Sequence, residues 1–165
     1  MLKLAELNRL DAKEFTRVIG PVFEHSPAFA ERTYPQRPFA TVDELLAALC
    51  ATVNAAPEDE KLALIRAHPD LVGRASLTRE SQAEQVSAGL GDLSSAERET
   101  FRAYNARYHE RFGFPFVICA RLNKKDAILD AFPKRLTNSR EQEMDTALGE
   151  IFNIAELRLR DLVTE

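Results

Sequence analysis

Apolar residues recur along this chain at helical spacing, and most of the stripes follow a helix-start signal. Asp11 opens a segment in which Phe15, Val18, Ile19, Val22 and Phe23 return every three or four residues. Thr41 with Glu44 has the form of a capping box, in which a hydroxyl and a carboxylate satisfy amides of the first turn. Leu45, Leu46, Leu49 and Val53 follow it. Pro57 with Glu58, Asp59 and Glu60 reads as another first turn, because proline loses no hydrogen bond there and carboxylates suit the positive end of the helix dipole. Leu62 and Ile65 come next, ahead of Pro69. Ser94 with Glu97 forms a second capping box before Phe101, Tyr104, Tyr108 and Phe112. Further helices are expected over 124–132 and from about 139 to 162. The apolar run 114–120 has strand character but no convincing partner. The pattern therefore predicts an all-α protein, a single compact bundle of about seven to eight helices forming one domain over 1–165. The aromatic spacing at 101, 104, 108 and 112 fits core packing better than a cofactor box.

Composition narrows the classes. A 165-residue domain buries roughly two thirds of its unfolded surface, so its core needs no metal or disulfide staple. Cys50 and Cys119 sit beside apolar neighbours and are expected as two buried, reduced thiols. The first fifteen residues mix charges into the apolar positions, so no secretory signal is expected. The longest apolar stretch, around 112–120, is far short of the ~20 residues of a membrane span. A cytoplasmic protein with no membrane partner is the expectation. The 22 basic and 26 acidic residues are spread evenly, for a net charge of −4, which argues against a nucleic-acid partner.

Three groups of polar residues stand where packing alone would not put them. His68 precedes Pro69, so it should end its helix. There the dipole would favour the imidazolium and raise its pKa, and imidazole is the commonest acid–base group near neutral pH. A surface or capping histidine is the alternative; His25 and His109 lack even this setting. At 100° per residue Ser81, Glu84, Gln85 and Ala88 share one helix face, with Ala83, Val86 and Leu90 opposite. That stripe either holds a small polar ligand or is a solvated face. Arg158 lies at the edge of the stripe formed by Met144, Leu148, Ile151, Ala155 and Leu162, where a guanidinium needs an anion. It either makes a structural ion pair or recognises a substrate carboxylate or carbonyl.

Other chemistries are missing. No GxGxxG, GxxxxGK[ST], CxxC or HExxH occurs. His68 and Asp70 offer two metal ligands where three or four are needed, so no metal is expected. Neither cysteine has a polar neighbourhood that would activate it.

Taken in order, several segments resemble the decarboxylase family that acts on 2-oxo-4-hydroxy-4-carboxy-5-ureidoimidazoline (OHCU). They are Phe23–Glu24–His25–Ser26–Pro27, Arg37–Pro38–Phe39, His68–Pro69–Asp70–Leu71 with Gly73–Arg74, and Ser81–Gln82–Ala83–Glu84–Gln85. Phe112–Gly113–Phe114–Pro115–Phe116–Val117–Ile118 and Glu156–Leu157–Arg158–Leu159 complete the set. The resemblance implies a compact all-α fold, a homodimer, and conversion of OHCU to (S)-allantoin and carbon dioxide, the last step of urate oxidation to allantoin, without metal or organic cofactor. It places the catalytic histidine at His68, the site carboxylate at Glu84 and the ligand-binding arginine at Arg158. Pro69, Ser81, Gln85, Phe116, Val117 and Ile118 fall at substrate-binding positions, the last three through backbone groups. The segment between the histidine and carboxylate motifs reads as shorter than in eukaryotic relatives, which concerns loop shape and not the residues.

Two rival readings follow from the same residues. One is a helical interaction module, with an exposed apolar groove and no small-molecule pocket. The other is a hydrolase of a related cyclic ureide, in which His68 and Glu84 activate water. The enzymatic expectation requires His68, Glu84 and Arg158 to line one small cavity.

Overall fold

A computed structural model describes residues 1–73 and 77–165. Two compact units are present, Met1–Ala67 with Phe152–Glu165, and His68–Ile151. The first begins with β1 (Leu2–Lys3) and then α1 (Leu4–Leu7), α2 (Ala12–Ile19), α3 (Ala28–Thr33), α4 (Val42–Asn54) and α5 (Glu58–Arg66). The second holds α6 (Arg79–Ser87), α7 (Ser95–Phe112), α8 (Lys125–Arg135) and the first part of α9 (Arg140–Leu162). The remainder of α9 belongs to the first unit, as does β2 (Val163–Thr164), which pairs in parallel with β1. The architecture is all-α, as expected. Nine helices occur among the described residues rather than seven or eight, because α1 and α3 are too short to carry a periodic stripe.

The expected start signals act locally. The Asp11 carboxylate accepts the Glu14 amide at 2.8 Å, and Ser94 and Glu97 close a reciprocal capping box. Thr41 accepts the Glu44 amide at 3.0 Å, while the Glu44 carboxylate takes the amide of Ala40 instead of the cap residue's own. Gly113 ends α7 at φ 76, a left-handed conformation that glycine adopts without strain. In the first unit α2 and α4 both pack on α3, with Phe23 edge-on to Phe29 and Phe15 edge-on to Tyr34. The Arg37–Pro38–Phe39 segment is an anchor in this unit. The Arg37 guanidinium lies 3.6 Å over the Tyr34 ring and donates to the carbonyls of Asn8 and Leu10.

The aromatic stripe of α7 is core, as its spacing predicted. Phe101, Tyr108 and Phe112 are buried, and Phe132 of α8 stacks on both Tyr104 and Phe116. Residues 114–118 are not a strand. They run without ladder partners into a 3-10 turn at Ala120–Leu122.

Candidate active site

His68 lies one residue beyond Ala67, the cap of α5, and ahead of Pro69. The stop follows from the proline, whose ring pushes the preceding residue out of the helical region. Only 7% of His68 is exposed, so it is not a surface histidine. The chain then turns tightly, the Gly73 amide donating to the Asp70 carbonyl at 3.3 Å. A β-carbon at Gly73 would come within 3.1 Å of that carbonyl, which explains the glycine. Val72 holds φ 59, a conformation costing a β-branched residue roughly 1–3 kcal/mol. The turn is therefore imposed by its surroundings. Asn105 Nδ2 donates to the Leu71 carbonyl at 2.8 Å, the Val72 amide donates to Gln85 Oε1 at 3.2 Å, and His109 Nε2 meets Asp70 Oδ1 at 2.7 Å.

Helix α6 is inside out. Its cap Thr78 accepts the Ser81 amide at 3.2 Å, and the helix buries Ser81, Gln85 and the following Ala88, with Glu84 half-buried. Ala83 is exposed and Val86 is 61% exposed. Burying a valine side chain is worth at least ~1.5 kcal/mol, whereas buried polar groups cost stability unless something pairs with them. The polar stripe is thus turned inward against the hydropathy of the helix, and it is no solvated face. Because Gln85 Oε1 takes the Val72 amide, the orientation of its side-chain amide is fixed, with N–H₂ as the group directed elsewhere.

Residues 116–118 lead into the turn that packs on this helix. Phe116, Val117 and Ile118 are all buried, and α6 packs on the turn Ala120–Leu122 that follows them. The Lys125 amide donates to Ala88 at 3.1 Å. Burial pushes the Cys119 thiol up, and the carboxylates of Glu150 and Glu84 add to the effect. Two side chains hold the backbone: Glu150 accepts the Cys119 amide at 3.0 Å, and Arg135 donates to the Val117 carbonyl at 2.5 Å. Arg135 is fixed by the fully buried Glu143, which also accepts from the Tyr108 hydroxyl at 2.6 Å. Burial and that carboxylate push the Tyr108 hydroxyl far above its ordinary range, so it remains a neutral donor. In the second unit, then, the turn after His68 and Pro69 is bonded to Gln85 of the α6 stripe, and α6 packs on the 3-10 turn that follows residues 116–118.

Arg158 belongs to the first unit and is 4% exposed. It donates to the Pro21 carbonyl at 3.1 Å and to Glu24 Oε2 at 2.8 Å, Glu24 itself being 1% exposed. The anion that a buried guanidinium demands is thus within the protein, whatever else Arg158 contacts. Both cysteines are free, Cys119 buried as expected and Cys50 only half-buried. Among the described residues, no group of three or more His, Cys, Asp or Glu is placed to hold a metal ion, and no helix is long and apolar enough to cross a membrane.

A profile described as OHCU decarboxylase matches residues 8–160. The chain belongs to the OHCU decarboxylase family. A Haloferax volcanii protein named 2-oxo-4-hydroxy-4-carboxy-5-ureidoimidazoline decarboxylase is 46% identical over 97% of this chain and 95% of its own length. A crystal structure of an (S)-allantoin synthase superposes with a TM-score of 0.83 at 29% identity, over 99% of this chain and 54% of that longer one. A crystal structure of an OHCU decarboxylase in the presence of (S)-allantoin gives a TM-score of 0.72 at 25% identity, over 93% and 98% of the two chains.

Against this family's motifs, the sequence left several buried polar residues of the two units without a role. Glu24 stands inside a quoted motif, yet its partner lies 134 residues away. Asn105 is a polar residue on the buried face of α7, a misfit of the same kind as Arg158 on α9. Arg135 and Glu143 sit near the ends of their helices, where charged residues are ordinarily solvated. Arg74, the one motif position outside the described residues, is not placed.

Proposed function

We propose that this member of the OHCU decarboxylase family converts OHCU to (S)-allantoin and carbon dioxide, and that the whole chain acts as one domain. The observation that carries the reading is the inward polar stripe of α6 beside a buried histidine turn, in a chain whose similar proteins are named for this reaction. Both features cost stability and make sense beside a small ligand rich in amide and carbonyl groups.

The substrate supplies its own electron sink. Loss of carbon dioxide from the carboxyl-bearing carbon sends the released pair toward the adjacent ring C=N bond, so the step calls for no organic cofactor. The hydroxyl on the same carbon gives up its proton and becomes the ring carbonyl. The neighbouring carbon, bearing the ureido group, then receives a proton on one face. His68 handles the hydroxyl proton. Glu84 orients the substrate and poises His68. Ser81 and Gln85 bind its ureido and ring groups, Gln85 as a donor, and the backbone at Phe116, Val117 and Ile118 and the ring of Pro69 complete the contact. Arg158, its orientation fixed by Glu24, holds a substrate oxygen and offsets developing negative charge. A cytoplasmic homodimer is the proposed form.

The test is stereochemical. OHCU decays unaided to racemic allantoin, so enantiomeric excess read by circular dichroism on freshly generated substrate reports the enzyme. The wild-type protein is expected to give an excess of (S)-allantoin, and a folded His68→Asn variant to give none. Near wild-type turnover by that variant would remove His68 from the chemistry.

A further inference from the structure

We propose that Asn105 and His109, one turn apart on α7, are positioning residues that set His68 through the turn following it. The inference rests on the reading of His68 as the proton-handling group. Three consecutive residues after Pro69 are each tied by a different kind of bond. Asp70 is held by its side chain, Leu71 by its carbonyl and Val72 by its amide. Two of these three ties come from α7. A loop needing only to cross from α5 toward α6 would require none of them, and it would not force Val72 to φ 59.

Asn105 carries the stronger argument. Its residue is 8% exposed, and while Nδ2 serves Leu71, its Oδ1 is buried without a hydrogen-bond partner among the described residues. A core position that leaves a polar atom unsatisfied calls for a reason beyond stability. Here the reason is the fixed Leu71 carbonyl, three residues from His68. His109 works from the solvent side. It borders a cleft of about 650 Å³ with Asp70, Val72, Gly73 and Asn105, and its Nε2 must carry the proton because a carboxylate only accepts. A displacement of about 1 Å at a reacting group costs on the order of 100-fold in rate, so small losses of grip on this turn are visible in kcat.

The experiment measures kcat and KM for (S)-allantoin formation with full-length Asn105→Leu, His109→Phe and His109→Gln. Asn105→Leu and His109→Phe are expected to lose on the order of 10-fold in kcat, with KM within about twofold of wild type. His109→Gln, which still donates to Asp70, should recover most of that loss, while thermal unfolding of the two His109 variants stays alike. Wild-type kcat in His109→Phe, or equal loss in His109→Gln, would overturn the proposal. Should Asn105→Leu not fold, the His109 pair decides alone. Undiminished activity in His68→Asn would refute the reading of the site itself. An inactive His68→Asn beside wild-type rates in the α7 variants would refute only the positioning.

Discussion

Removing one charge of the Arg135–Glu143 pair should destabilise the protein far more than removing both. Glu143 is fully buried and Arg135 is 8% exposed. The carboxylate also accepts from Tyr108 and, at 2.9 Å, from Asn138, while the guanidinium lies 4.1 Å over the Phe116 ring and donates to Val117. Each ion costs several kcal/mol to take out of water, and the pairing offsets that only while both remain. Glu143→Leu strands the guanidinium, which cannot shed its proton, at about 3–5 kcal/mol. Arg135→Met strands a carboxylate that can take up a proton and keeps two donors, so about 2–3 kcal/mol is expected. The double variant, with both desolvation costs gone, should lie within about 1–2 kcal/mol of wild type. At about 2–4 °C per kcal/mol for a chain of this length, Glu143→Leu alone lowers Tm by roughly 6–20 °C. Urea unfolding of the four proteins at neutral pH closes the cycle, with a coupling of at least about 2 kcal/mol. Additive single effects, or a double variant no more stable than Glu143→Leu, would refute the account.

Two further outcomes follow from the polar groups already described. Burial, with Glu156 adding, pushes the Cys50 thiol from 9.0 up to about 11. Between those values the unfolded thiol ionises and the folded one does not, so stability falls as pH rises through that window. Cys50→Ala should flatten the alkaline decline in unfolding free energy, read from urea titrations, by about 1–2 kcal/mol after discounting for solvent screening of the half-buried thiol, and an unchanged slope from pH 8 to 11 would count against it. Gln85→Glu keeps an acceptor for the Val72 amide but loses the N–H₂ donors, so KM for OHCU should rise with Tm nearly kept. Gln85→Leu should lose both KM and about 1 kcal/mol or more of stability, and equal unfolding curves for the two variants would undo the double role assigned to Gln85.

Local chemistry made much of the fold legible. The caps at Asp11 and Ser94 need only neighbours three residues away, and they stand where the sequence put them. The β1–β2 pair was out of reach because Leu2 meets Val163, a partner at the far end of the chain. Helical periodicity told which residues of α6 share a face but not which face turns inward, and hydropathy points the wrong way when Val86 is exposed and Ser81 buried. For Arg158 the ion pair of one alternative is present, and the substrate contact of the other stands as a proposal. A misfit guanidinium announces that an anion exists somewhere, and only coordinates identify Glu24.

His25 at φ 47 and the buried Thr16 Oγ1 depart from local preference in the first unit, and a denser group of departures lies in the second. Val72 at positive φ, the unpartnered Oδ1 of Asn105 and the inward polar face of α6 all meet at residues 70–73 and the histidine before them. The buried charges elsewhere, Arg135 with Glu143 above all, are paired and donor-satisfied. Natural chains violate local rules at functional or strained sites, so such a cluster supports the proposed site without appeal to any relative. It also makes the Asn105→Leu variant more informative than a rate alone. The substitution removes an unsatisfied oxygen from the core and leaves the Leu71 carbonyl without its donor, two desolvation terms of about 1–3 kcal/mol each that oppose one another. If Asn105 is there to aim the turn, stability should scarcely move while kcat falls. If it is there for packing, the two should fall together.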